Sequence, residues 1–315
     1  MGKFISCLLS SLLLSSAVFA QVRPDVIYGD DDRLDLYQVQ SPKLRRMADS
    51  TIALISGGDV TIDGAGGIAR LNTSSYAGDY QLCQEEPFYE QETAAFCSGS
   101  LVGPDLLMTA GHCVRSQSAC ESTKFVFGFA VTEKGKNPKS VPAADVYSCK
   151  QLLGREEVGT GADWAIVKLD RPVAGHAPLK LNRSGSIPNG TPLIVIGHPA
   201  GLPTKVAGGA YVRNQGSDGH FVANLDTYGG NSGSAVFNAV TGQVEGILVR
   251  GEQDYVWRNG CRVSNVCADD GCRGEDVTRA SAVLGLVPGA GPAANFRVGK
   301  VPSFKQLLQL TGGSR

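Results

Sequence analysis

Three short stretches hold side chains that could do chemistry together. The first is "AFCSGSLVGPDLLMTAGHCVRS", residues 95–116, which sets His112, one of only four histidines, directly before Cys113. A general base must be held at a fixed place, commonly a strand end, and "LLMTA" supplies such a strand. Gly111 lets the backbone turn there. Cys113 can pin the turn by bonding to Cys97, because a hairpin return brings the two α-carbons into bonding range. The second stretch, "GADWAIVKLDRPV", puts Asp163 at the head of an apolar run. A carboxylate there can hold a histidine ring N–H and fix its tautomer. The third, "DTYGGNSGSAVF", surrounds Ser232 with Gly229, Gly230 and Gly233. A glycine-rich turn can aim the N–H groups of Gly230 and Ser232 at one spot and form an oxyanion hole. The implied chemistry is acyl transfer: Ser232 as nucleophile, His112 as base and then acid, Asp163 orienting His112. It needs no metal and no organic cofactor.

These residues need a scaffold of strands. "SGSLVG", "DLLMTA", "KFVFGFAV", "WAIVKL", "TPLIVIGHP", "HFVANL", "SAVFNA" and "QVEGILVRG" are short runs rich in Val, Ile, Leu and Phe. Turn residues separate them, and 40 glycines suit a loop-rich, all-β protein. One helix is predicted near the C-terminus, over "SFKQLLQL". With 42% hydrophobic and 19% charged residues the chain is globular rather than disordered. A net charge of −1 with no basic block excludes a nucleic-acid footprint. Residues 1–20, with Lys3 before "FISCLLSSLLLSSAVFA", read as a cleaved signal peptide. They are too short and too serine-rich for a membrane span. Residues 21–50 are polar and read as a pro-segment or an N-terminal arm. Residues 51–315 read as the folded domain. Beyond the signal, eight cysteines remain, an even number that fits a disulfide framework in an exported protein. Cys97–Cys113 is one bridge; the other six cysteines allow fifteen pairings. The spacing of Cys261, Cys267 and Cys272 is not that of a zinc site. Residues 252–280 read as a long cross-linked surface insertion.

The order His112, Asp163, Ser232 is the chymotrypsin order, and "GNSGS" lacks the last glycine of the G-x-S-x-G elbow. "TAGHC", "DWAIVKL" and "GGNSGS" together resemble the three catalytic blocks of the trypsin/chymotrypsin superfamily of serine peptidases. The "GNSGS" form and the "VIYGDDDR" start are most similar to the secreted bacterial branch of V8-like glutamyl endopeptidases. The resemblance implies two six-stranded antiparallel β-barrels with the active site between them. It implies a secreted, monomeric endopeptidase acting on proteins or peptides, with no membrane attachment after signal cleavage. In that branch the mature chain starts at a residue like Val26, here after Asp25.

Two positions depart from the family. Animal trypsins carry an aspartate directly before the serine, which pairs with a newly freed amine; Asn231 stands there and cannot make that ion pair. Glutamyl endopeptidases grip the substrate carboxylate with a histidine, and Leu248 of "GILVRG" occupies that place. The resemblance to trypsin puts Asp226 at the base of the first specificity pocket, with Thr227 lining it. A desolvated carboxylate there favours cleavage after Lys or Arg. Arg250, in the pocket wall, would either pair with Asp226 or bind an acidic side chain, which leaves a glutamate preference open. A latent or non-catalytic relative, blocked by residues 21–50, also stays open. His176, His198 and His220 are expected to be structural or surface residues. The 83 residues after Ser232 are expected to finish the second barrel and leave no room for a peptide-binding PDZ domain.

Overall fold

Runs such as "PLIVIG" are apolar at every position, which a strand tolerates only when both of its faces are covered. The computed structural model, which describes residues 26–64, 67–216 and 219–289, shows what covers them. The first barrel is built from β1 (Thr51–Ser56), β2 (Cys97–Gly103), β3 (Leu106–Thr109), β4 (Thr123–Val126), β5 (Val146–Glu157) and β6 (Asp163–Leu169). They pair antiparallel in the order β4-β5-β6-β3-β2-β1 and close through β1 and β4. The second barrel uses β7 (Pro192–Gly197), β8 (Lys205–Asn214), β9 (His220–Ala223), β10 (Ala235–Asn238), β11 (Val244–Arg250) and β12 (Glu275–Arg279). Its order is β7-β10-β11-β12-β9-β8, closed by β8 pairing back onto β7. Closure leaves no open sheet edge in the first barrel.

Alternation along the second-barrel strands explains the continuous apolar runs. Leu193, Val195, Val236 and Leu248 point into the second barrel with Phe221 and Val277. Their neighbours Ile194, Ile196, Phe237 and Ile247 point the other way and join the core that holds Leu54, Leu107, Phe125 and Ile166 of the first barrel. The two barrels therefore share one apolar seam. The functional residues sit where strands from both reach it.

Residues 26–50 are packed onto this fold. Ile27–Tyr28 pairs in parallel with Val266–Cys267, and Arg33–Asp35 adds to the free edge of β8. Ser41 caps the helix Pro42–Ala48, which buries Leu44, Met47 and Ala48 against the shared core. The expected long surface insertion over 252–280 is corrected. It contains the hairpin Tyr255–Arg258/Cys261–Ser264 and the barrel strand β12. The charged sequence "EDVTR" hides β12, yet Glu275, Asp276 and Thr278 are all buried by polar partners.

The eight cysteines among the described residues are all paired. Cys97–Cys113 forms as expected, and the others join as Cys83–Cys261, Cys120–Cys149 and Cys267–Cys272. Cys83–Cys261 ties the excursion between β1 and β2 to the hairpin that precedes β12. The signal segment and the helix expected over "SFKQLLQL" lie outside the described residues. Among the described residues no helix is long and apolar enough to cross a membrane.

Candidate active site

β3 runs straight into the single turn Gly111–Cys113, which carries His112. Only glycine fits at 111: a Cβ there would lie 2.0 Å from the Glu156 carbonyl oxygen and 2.8 Å from that of Trp164. The same tight approach brings the turn onto Asp163, the first residue of β6. Asp163 is 3% exposed, and its two oxygens divide the work. Oδ1 accepts the Gly111 N–H at 2.6 Å and the His112 N–H at 3.1 Å. Oδ2 lies 2.7 Å from His112 Nδ1. The Asp163 N–H donates to Thr278 Oγ1 of β12 at 3.0 Å, so both barrels hold this residue.

Ser232 comes from the turn between β9 and β10. Asn231 N–H donates to Tyr228 O, Gly233 N–H to Leu248 O, and Ser234 N–H to Asn231 O. The N–H groups of Gly230 and Ser232 take no part in that set. Gly230 and Gly233 have φ of +95° and +92°, a backbone region that glycine adopts without strain. β2 clamps the turn from the first barrel: Ser98 N–H donates to Ser232 O at 2.8 Å, and Ser98 Oγ–H to Gly230 O at 2.8 Å. Cys113 Sγ lies 3.6 Å from Ser232 O. The Cys97–Cys113 bridge thus stands between the turn that carries His112 and the turn that carries Ser232. Asn231 is buried, and its Oδ1 accepts the Ser234 hydroxyl at 3.2 Å, a local brace rather than an ion-pair partner.

Residues 97–247 match the family model of the trypsin-like peptidase domain. Over that stretch, just under half of its length, the chain resembles a trypsin-like peptidase domain. It is 30% identical over 153 residues to a glutamyl endopeptidase of Bacillus licheniformis, which covers 45% of each chain. It is 29% identical over 132 residues to a trypsin of Sarcophaga bullata, covering 40% of this chain and 47% of that one. The matched region spans about half the length of these curated relatives. Among solved structures, one of a Glu endopeptidase in complex with MPD aligns with 82% of this chain and 95% of its own, at 16% identity and a TM-score of 0.46.

The pocket wall differs from the sequence expectation. Arg250 does not pair with Asp226. Cross-strand register sets it opposite Asp276, and Nε bonds Asp276 Oδ2 at 3.0 Å. Its other nitrogens meet Gly161 O at 2.6 Å and approach Asp163 Oδ2 at 4.0 Å. Arg250 therefore adds positive charge beside the carboxylate that holds His112. Leu248 faces the second core. Asp226 is 4% exposed and accepts the N–H groups of Tyr28 at 2.8 Å and Asp32 at 2.9 Å. It fastens the N-terminal arm. Thr227 donates its hydroxyl to Glu275 Oε2 at 3.1 Å, and the Tyr28 hydroxyl reaches Glu275 Oε1 at 3.4 Å. Glu275 is a buried carboxylate beside Thr227 that sequence reasoning missed. Its one local signal was Gly274 before it, which gave no hint that a charged segment forms a central strand.

The remaining histidines serve the scaffold. His198 is buried with Nδ1 on Leu202 O, and burial lowers its pKa to about 4. His176 stacks on Phe127 between Asp49 and Asp145. His220 lies against Asp276. Cys97, His112 and Cys113 bring ligand atoms within 4.8 Å, but both sulfurs are consumed by their bridge and offer a metal nothing.

Burial pushes the Asp226 carboxyl from 3.8 up to about 7. The folded protein then holds a proton that the unfolded chain releases between those two values. Stability linked to Asp226 is present below pH 3.8 and falls as pH rises through about 7, by up to ~4 kcal/mol. Thermal denaturation of wild type and Asp226→Asn between pH 4 and 8 should show this. The variant should lose the downward slope in that window. An unchanged slope would remove Asp226 as its source.

Proposed function

We propose that this chain is an exported serine endopeptidase that cleaves after Lys or Arg. The observation that carries the reading is the divided Asp163 carboxylate. With Oδ1 filled by two backbone N–H groups, Oδ2 can only accept from His112 Nδ1–H. That fixes the tautomer whose Nε2 lone pair can take a proton from Ser232. Ser232 Oγ then attacks the scissile carbonyl, and the Gly230 and Ser232 N–H groups stabilise the oxyanion. His112 hands its proton to the leaving amine, and water, deprotonated by the same nitrogen, releases the acyl group. Four disulfides and the signal-like N-terminus support residence in an oxidising compartment. Protein or peptide chains are the expected partners, taken up by a monomer.

The basic preference is supported by the likeness to a trypsin. The likeness to a glutamyl endopeptidase favours a second reading, cleavage after Glu. That reading needs a cation in the pocket, and Arg250 is engaged by Asp276 instead. One experiment tests both. A serine-reactive phosphonate should label Ser232, and matched peptides should be cleaved after Arg or Lys rather than Glu or Phe. Cleavage after Glu would keep the triad and overturn the pocket reading. No label and no cleavage would favour a latent or non-catalytic relative.

A further inference from the structure

The excursion between β1 and β2 forms one wall of a cavity of about 590 Å³. Asp59, Asp79, Tyr80 and Phe96 line that wall, and Gly229 and Gly230 line the opposite one. The second pair leads directly into Asn231 and Ser232, so the cavity opens beside the proposed nucleophile. It lies on the opposite flank from the pocket wall. β11 meets the serine turn through Leu248 O, whereas Ala95 and Phe96 lead into Ser98, which holds Ser232 O. In the proposed reading the residue before the scissile bond lies on the β11 flank, beside Thr227. Residues after the bond must then run through the cavity.

Its chemistry is one-sided. Asp59 and Asp79 are the only charged side chains among the described lining residues, and both are anionic. Asp59 Oδ1 accepts one bond from Asn72 Nδ2 at 2.9 Å, and Asp79 Oδ2 accepts one from Ser74 Oγ at 2.5 Å. A carboxylate has about four acceptor positions, so each retains capacity for a ligand. Phe96 is 44% exposed although it is large and apolar, and Tyr80 adds a second ring nearby. A flat aromatic face beside carboxylates suits a guanidinium, which stacks on one and bonds the other. The wall is held in shape by the Ser74–Ser75/Glu92–Thr93 pairing and the Cys83–Cys261 bridge.

We infer that the peptidase selects arginine or lysine within the first three positions after the scissile bond, with Asp59 and Asp79 as counter-charges and Phe96 as the stacking ring. This rests on the reading of Ser232 as nucleophile. The test uses peptides identical up to the scissile bond, with either Arg or Glu at the second and third positions beyond it, and mass spectrometry counts only the product of that one bond. The Arg peptide should have about tenfold higher kcat/KM, and added salt should narrow the gap. D59N/D79N should bring the ratio close to one, and Phe96→Ala should lower it without reversing it. Equal rates for wild type, or a ratio unchanged in D59N/D79N, would overturn the inference. The same labelled peptides binding to Ser232→Ala protein, read by fluorescence anisotropy, keep the two readings apart. If no peptide is cleaved but the Arg peptide binds about tenfold tighter, the nucleophile reading fails and the cleft reading stands. Equal binding of both peptides sinks the cleft reading on its own.

Discussion

Replacing Asp163 by asparagine should lower kcat/KM by about 10⁴-fold at neutral pH while the protein stays folded. The size follows from how the carboxylate is shared. Oδ1 already accepts two backbone N–H groups, from Gly111 and His112. An asparagine must therefore keep its carbonyl oxygen at that position, because its amide would face two donors with a third. The amide then takes the place of Oδ2, 2.7 Å from His112 Nδ1. Amide N–H facing ring N–H is repulsive, so the ring moves its hydrogen to Nε2. A protonated Nε2 cannot accept from Ser232, and the imidazolium that forms during attack loses its counter-charge. Circular dichroism and a melting curve would check the fold, and a titrated peptide assay would give kcat/KM. A variant that keeps activity within about tenfold of wild type would show that His112 is not the base. Arg250, 4.0 Å from Asp163 Oδ2, would lose one of its two acidic neighbours in this variant but keep Asp276.

How much of this was legible in the sequence depends on which force placed each residue. His112, Asp163 and Ser232 stand at strand ends beside glycines, and local backbone demands put those glycines there. A reader of sequence sees such signals. Eight barrel strands were visible for a related reason, since their side chains are apolar in continuous runs. The other four were not. β5, "VYSCKQLLGREE", breaks its alternation at two register shifts. β8, "KVAGGAYVRN", carries two glycines in its middle. β1, "TIALIS", follows directly on a polar stretch that masks its start. β12, "EDVTR", is polar along its length, and tertiary partners bury it: Thr227 and Tyr28 on Glu275, Arg250 and Arg273 on Asp276, and Asp163 on Thr278.

The pocket was read least well because its residues are matched over long range. Asp226 holds residues nearly two hundred positions earlier in the chain, at Tyr28 and Asp32. Spacing around the serine gives no view of that arm. The arm's own sequence, "VIYGDDDR", is polar enough to pass for a removable segment. Its backbone N–H groups, rather than its side chains, make the contacts with Asp226. Only the assembled fold shows that Asp226 and Glu275 are joined through one tyrosine, whose N–H serves the first and whose hydroxyl serves the second.

Gly233→Ala should be among the most damaging single substitutions in the chain, costing at least about 4 kcal/mol. Two independent demands meet at this residue. Its φ of +92° lies where an L side chain is strained. The space is also taken: a Cβ would come 2.0 Å from Ser98 O, 2.3 Å from Thr109 Oγ1 and 3.0 Å from Ala110 N. Ser98 O and Thr109 Oγ1 are already bonded to each other at 2.6 Å, so neither can move alone. Relief requires the serine turn to withdraw from β2 and β3, which breaks the Ser98 N–H bond to Ser232 O and moves Ser232. Activity and stability should therefore fall together, with a melting temperature lower by about 10 °C or more. Gly58→Ala is the control, because a Cβ there meets nothing within 4 Å. It should melt close to wild type. If Gly233→Ala did the same, the serine turn could not be wedged between the barrels as described, and the coupling of Ser232 to β2 would have to be abandoned.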